Sequence, residues 1–125
     1  YKLIAEAAAD GLCDIIGHLD LPKKLRRPTI DLSDHIGHAL TAIRRNDLAL
    51  DVNTSGLRKG AGEVYPDPDI LRQAFLCGIP VTLGSDAHAP AEVAAQFDET
   101  VAMLKAIGYE HSCIYSGRQR SLIDL

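Results

Sequence analysis

Ile79-Pro80-Val81-Thr82-Leu83-Gly84-Ser85-Asp86-Ala87-His88 is the stretch that decides the fold. Its apolar first half reads as a strand, and Gly84 marks where that strand gives way to a loop. Asp86 and His88 follow at once, at the carboxyl end. Side chains two apart on an extended chain point the same way. A carboxylate oxygen and an imidazole nitrogen could then reach one metal ion, or two neighbouring ones. An earlier segment repeats the design, with Cys13-Asp14-Ile15-Ile16 running into Gly17-His18-Leu19-Asp20. Two such strand ends in one short chain point to a metal-dependent hydrolase.

Working outward, the chain alternates helix and strand. Tyr1 to Asp10 is Ala-rich and stops at Gly11, as helices do. A short buried strand is expected over Leu12–Ile16, then a basic loop from Pro22 to Pro28. Asp31 or Ser33 should cap a helix running to Asn46, with Arg44 and Arg45 near its negative end. A second strand follows over Leu48–Asn53, then a Gly-rich loop to Pro66. Asp67-Pro68 predicts the start of a helix over Asp69–Leu76, ended by Gly78. Pro80–Leu83 is the third strand. Pro90 is expected to open the longest helix, through Val93, Phe97, Val101 and Leu104 to Gly108. Ser112–Tyr115 makes a fourth strand, and Gly117–Arg120 a solvated terminal loop. Strands that are apolar without alternation belong to a parallel sheet buried on both faces. In βα barrels the reactive groups lie on loops at the carboxyl ends of such strands, where His18, Asn53, Asp86 and His88 all fall.

At 125 residues the chain has room for one domain and no more. Its 46% hydrophobic and 24% charged residues are those of an ordinary globular protein, and no run is long enough to span a membrane. A net charge of −4 argues against a nucleic-acid or anionic-membrane partner. Cys13, Cys77 and Cys113 are odd in number and set among apolar residues, which suits reduced core thiols and a cytoplasmic location. The start at Tyr1, inside a helical pattern, leads us to expect the later part of a longer domain, since a whole α/β barrel takes about 200 residues or more.

Four blocks carry a resemblance: I-I-G-H-L-D-L-P-K-K at 15–24, D-V-N-T-S-G-L-R-K at 51–59, E-V-Y-P at 63–66 and V-T-L-G-S-D-A-H-A-P at 81–90. In this order they resemble the PHP (polymerase and histidinol phosphatase) superfamily, and within it the histidinol-phosphatase branch. The resemblance implies an α/β fold, the C-terminal part of a distorted (βα)7 TIM-like barrel, with residues 1–125 as the C-terminal portion of a single phosphoesterase domain whose N-terminal portion is absent. It also implies hydrolysis of L-histidinol phosphate to L-histidinol and phosphate, in histidine biosynthesis, with a divalent metal cluster of Zn, Mn or Fe. By the same resemblance His18, Asp86 and His88 are metal ligands, and Arg58 binds phosphate. Asp86, His88 and Arg58 form the catalytic group, and Lys24 is a looser second phosphate contact. The family's earlier ligands, an H-x-H pair among them, have no counterpart here, so the cluster is expected to be incomplete in this chain.

The residue types suit the chemistry. A phosphate monoester repels an incoming hydroxide, and metal ions shield that charge and acidify water. Asp86 supplies an anionic ligand. His18 and His88 supply neutral ones, each needing an acceptor for its second ring nitrogen, with Asp20 the candidate for His18. A guanidinium grips two phosphate oxygens, whereas a lysine acts as a point charge.

Each feature also has a plainer reading. Asp86 and His88 could close a strand–helix turn, His18 could be a structural histidine, Arg58 a solvated loop cation, and Lys23, Lys24, Arg26 and Arg27 a solvated turn. Asn53 reads as a brace for its loop. His35, His38 and His111 read as surface or packing residues, and Glu63 as a residue of the substrate mouth that could meet an amine. Two other functions stay open: a PHP phosphoesterase acting on another phosphorylated substrate, and a non-catalytic half-barrel that self-associates or docks with an N-terminal half.

Overall fold

The computed structural model describes residues 1–25 and 28–125, so Arg26 and Arg27 of the expected basic loop lie outside the described residues. Strands β1 (Ile15–Ile16), β2 (Ala49–Asn53) and β3 (Val81–Gly84) form a parallel sheet in that order. Ile16 lies beside Leu50, Leu50 beside Val81, and Asn53 beside Gly84, so the carboxyl ends of β2 and β3 are level. Ala49, Leu50 and Val52 are fully buried, as a parallel strand covered on both faces requires. Asp51 alone in β2 is partly exposed.

Helices α1 (Lys2–Ala9), α2 (Ser33–Arg45), α3 (Pro68–Leu76) and α4 (Phe97–Ile107) supply the rest of the core. Ala8, then Ala39, Leu40 and Ile43, then Ile70, Leu71 and Ala74, and Leu104 form one cluster with Ile16, Leu50, Val52 and Val81. The spacing of three and four residues keeps these side chains on one helix face. Each buried Leu or Ile contributes about 1.5–3 kcal/mol. The start of α3 is as the sequence predicts: Asp67 Oδ1 accepts from the N–H groups of Asp69 and Ile70, each at 3.0 Å. At α2 the helix begins at Ser33 instead. Asp31 Oδ1 accepts from the Ser33 N–H at 2.9 Å, so its turn precedes the helix rather than capping it. Among the described residues no helix is long and apolar enough to cross a membrane.

Three expectations need correcting. The first strand is only two residues long, and Leu12 is 82% exposed. Pro90 opens only a 3-10 turn, Pro90–Glu92; α4 starts at Phe97, and α2 is longer. Ala94 and Gln96 adopt left-handed φ values of 56° and 62°, which end any helix begun at Pro90. Val93 is accordingly exposed and off the core face.

The third correction concerns the expected fourth strand. β4 (His111–Ser116) does not extend the parallel sheet but pairs antiparallel with β5 (Gln119–Asp124), where a solvated loop was expected. Gly117 and Arg118, at φ 54° and 63°, make the two-residue turn. Two positive φ values suit the twist of a tight hairpin. The hairpin is held at the amino ends of the parallel strands. The Arg118 Nε and Nη2 groups each donate to the Asp14 carboxylate at 3.0 Å, and Arg120 Nη2 donates to Asp47 at 2.8 and 3.0 Å.

Candidate functional site

The parallel sheet turns three loops toward one rim. After β1 the chain bends at His18, whose φ is 27°, and after β3 it bends at Asp86, φ 48°. Left-handed backbone at a residue other than glycine costs about 1–3 kcal/mol, and such strain collects at functional sites. Between them, β2 runs into a 3-10 turn over Thr54–Arg58. Asn53 starts it, its Oδ1 accepting from the Ser55 N–H at 3.0 Å, so it braces the loop. The loop also packs closely on Glu63–Tyr65: a Cβ at Gly56 would collide with the Glu63 carbonyl and lie 2.8 Å from the Tyr65 ring.

Asp51 is one of three rim residues that sequence reasoning missed, with Lys59 and Glu92. The Asp51 carboxylate accepts from Asn53 Nδ2 at 3.1 Å. Burial pushes the Asp51 carboxyl up; the Asn53 contact and His18 oppose this, and the charge of Asp86 adds to it. A Cβ at Gly84 would run into this carboxylate, which explains the glycine. The available signal was an acid inside an otherwise apolar strand, two residues before Asn53 and so on the same face.

Asp86 is held below its usual range. Burial works against ionisation there, but hydrogen bonds from Lys59 and Ser55 and the charges of Lys59 and His88 outweigh it. Lys59 Nζ is 3.3 Å from Asp86 Oδ2. His88 Nδ1 lies 2.8 Å from the Asp86 carbonyl oxygen. A carbonyl oxygen only accepts, so Nδ1 carries a proton, and it is the neutral form of the ring that would present a lone pair at Nε2. The His88 backbone N–H donates to Glu92 Oε2 at 2.8 Å. This contact first, with the charge of Arg58 among the rest, lowers the Glu92 carboxyl.

Arg58 reaches across to the same loop. Its Nη2 donates to the Ser85 carbonyl at 2.7 Å and lies 3.7 Å from Glu92 Oε2, while Nη1 is 3.4 Å from Thr54 Oγ1. The two neighbouring lysines of the β1–α2 loop part company. Lys23 is 8% exposed, whereas Lys24 is on the exposed side of the turn. Lys23 Nζ lies 2.7 Å from Asp20 Oδ2, 3.1 Å from Glu63 Oε1 and 2.8 Å from the Val64 carbonyl oxygen. Asp20 Oδ2 also accepts from the Asp67 N–H at 3.0 Å, and its Oδ1 has no hydrogen-bond partner among the described residues. Asp20 is therefore committed to the loop and does not orient the His18 ring. Glu63, expected at a substrate mouth, is part of this lysine cluster.

His111 lies on the hairpin, 3.3 Å from Asp124, and His35 and His38 lie on α2. The rim thus gathers His18, Asp51, Arg58, Lys59, Asp86, His88 and Glu92. Its imidazole and carboxylate donors suit a divalent cation in kind. In number they fall short, because no group of three or more His, Cys, Asp or Glu among the described residues could hold a metal ion.

No family model matches the chain. A Deinococcus radiodurans protein named "Probable histidinol-phosphatase" is 47% identical over 108 residues, which is 86% of this chain and 41% of that protein. The Bacillus subtilis "Histidinol-phosphatase" is 37% identical over 89 residues, 66% of this chain and 33% of the relative. A Thermotoga maritima protein, also "Probable histidinol-phosphatase", is 32% identical over 101 residues, 79% and 43% of the two chains. The crystal structure of the "putative histidinol phosphatase hisK" from Listeria monocytogenes matches with a TM-score of 0.63 at 26% identity. That match covers 77% of this chain and 42% of the other. The chain therefore spans less than half the length of each of these relatives.

Proposed function

We propose, on the premise that this chain belongs to the histidinol-phosphatase branch of the PHP superfamily, that its rim is part of a phosphomonoesterase active site. The substrate is L-histidinol phosphate and the products are L-histidinol and inorganic phosphate, a step of histidine biosynthesis. One observation above all supports the reading: three adjacent parallel strands lead into loops on one side of the sheet, and those loops carry acids, imidazoles and two cations. The three strands are then part of a distorted (βα)7 barrel, and residues 1–125 are the C-terminal portion of a single domain. That view is in keeping with the share of each relative the chain spans.

The cofactor of this proposal is a divalent metal cluster of Zn, Mn or Fe, to which His18, Asp86 and His88 would contribute some of the ligands. When bound, it would supply positive charge beside the phosphate and lower the pKa of a bound water toward neutrality. The chain's own groups do the rest of what is described here. His88 offers Nε2 because its Nδ1 proton is directed to the Asp86 carbonyl. Arg58 has five N–H donors in a planar fork, and those not used on Ser85 and Thr54 can grip phosphate oxygens. Such contacts tighten as negative charge gathers on the oxygens in the transition state. Lys24, exposed on its turn, is the looser second contact.

Phosphate release from L-histidinol phosphate by the full-length protein tests the proposal. Chelators should abolish it, and Arg58→Ala should lose activity with metal content unchanged. Full activity after replacing Asp86 and His88 together by Ala would overturn it. The shortage of ligands among the described residues favours a second reading, in which the 125 residues are a non-catalytic half-barrel that self-associates or docks with an N-terminal half. Size-exclusion chromatography of the 125-residue chain, alone and mixed with that half, separates the two.

A further inference from the structure

We infer that Lys59 is a phosphate-binding residue of this site, acting beside Arg58. The inference rests on the phosphatase reading and adds a residue to it. Four lysines and arginines with described surroundings flank the rim, and their contacts sort them. Lys23 is committed: its side chain is 5% exposed and meets two carboxylates and a carbonyl. Lys24 is turned to solvent on the β1–α2 loop. Arg58 and Lys59 close one 3-10 turn, and both reach the loop after β3, Arg58 to Ser85 and Glu92, Lys59 to Asp86.

The character of the Lys59 contact is what makes it available. Its side chain is 34% exposed and that of Asp86 is 38% exposed, at 3.3 Å. A pair this open to water is only weakly held, so little keeps the ammonium on its partner. A phosphate dianion beside it offers more charge and three further acceptor oxygens. The four-carbon stem lets the ammonium turn from Asp86 to an anion seated between it and Arg58 without moving the backbone.

The test compares Lys59→Met, Lys59→Arg and Arg58→Ala in the full-length, metal-loaded protein. It reads inorganic phosphate affinity by calorimetry and steady-state kinetics with L-histidinol phosphate. A charge-assisted hydrogen bond lost from the phosphate should weaken phosphate binding by about tenfold or more. Lys59→Met should therefore bind phosphate that much more weakly with a circular-dichroism melt like that of wild type, and Lys59→Arg should recover most of the affinity. If Lys59→Met binds phosphate as wild type does while Arg58→Ala does not, the role of Lys59 is refuted and the phosphatase reading stands. If wild type neither binds phosphate nor releases it from the ester, that reading falls, and this inference with it.

Discussion

Replacing Lys23 by Met removes one charge from the centre of a buried cluster and leaves the rest in place. The Lys23 ammonium sits 2.7 Å from Asp20 and 3.1 Å from Glu63, and its side chain is as buried as that of Asp20, each 5% exposed. Breaking a buried pair from one side costs about 3–5 kcal/mol, because the partner charge stays in a poor solvent. The Val64 carbonyl also loses its 2.8 Å donor. Methionine keeps the apolar stem packed, including against the Tyr65 ring, which the ammonium now approaches to 5.0 Å from its centroid. Glu63 is 23% exposed and can turn to water, so Asp20 carries most of the loss. Domains of this size hold about 5–15 kcal/mol in all. A thermal melt followed by circular dichroism should shift down by about 10–20 °C.

The pH profile of that loss is a second signature. Burial already pushes the Asp20 carboxyl up, and the Lys23 hydrogen bond and charge pull against it. Without Lys23 the folded-state pKa climbs further above its unfolded value of about 3.9. The folded chain then keeps a proton that the unfolded chain has released, and stability falls as pH rises through that window. The deficit of Lys23→Met should thus be smallest in acid and reach full size above the raised pKa. Lys23→Met combined with Asp20→Asn should recover part of it. A loss under about 1 kcal/mol at pH 7, in the range of exposed pairs, would refute the reasoning, and so would a deficit that ignores pH.

Gly56→Ala should destabilise the protein by about 1–3 kcal/mol in urea titrations, since its Cβ meets the Glu63 carbonyl and the Tyr65 ring. Gly60→Ala, whose Cβ would meet nothing within 4 Å among the described residues, is the control and should lie near wild type. Arg120→Ala should cost no more than about 1 kcal/mol, because Asp47 is 70% exposed, and the cost should shrink further at high salt. A larger or salt-insensitive loss would show that the hairpin contact is not a surface ion pair.

The parallel sheet was legible because its strands are apolar without alternation and the chemistry begins just where they stop. His18, Asp86 and His88 stood out for that reason. Asp51 was hidden inside such a run, where an acid reads as noise until the Gly84 backbone is seen beside it. Lys23 and Lys24 are adjacent on a 3-10 turn, where neighbours point about a third of a turn apart. Nothing in their order says which one goes inward. The hairpin escaped notice because every residue of β5 is exposed and its turn is Gly-Arg rather than the usual Asn-Gly. Left-handed backbone at Ala94 and Gln96 likewise has no signature in residues that rarely adopt it.

The two arginine clips of the hairpin join positions 104 and 73 residues apart along the chain. Contacts of such separation are slow to form, because the intervening polypeptide must first be brought to a near-native path. During translation Asp14 and Asp47 emerge long before Arg118 and Arg120 are made. That separation predicts that the clips close after the sheet they fasten, as a clasp on a frame already standing.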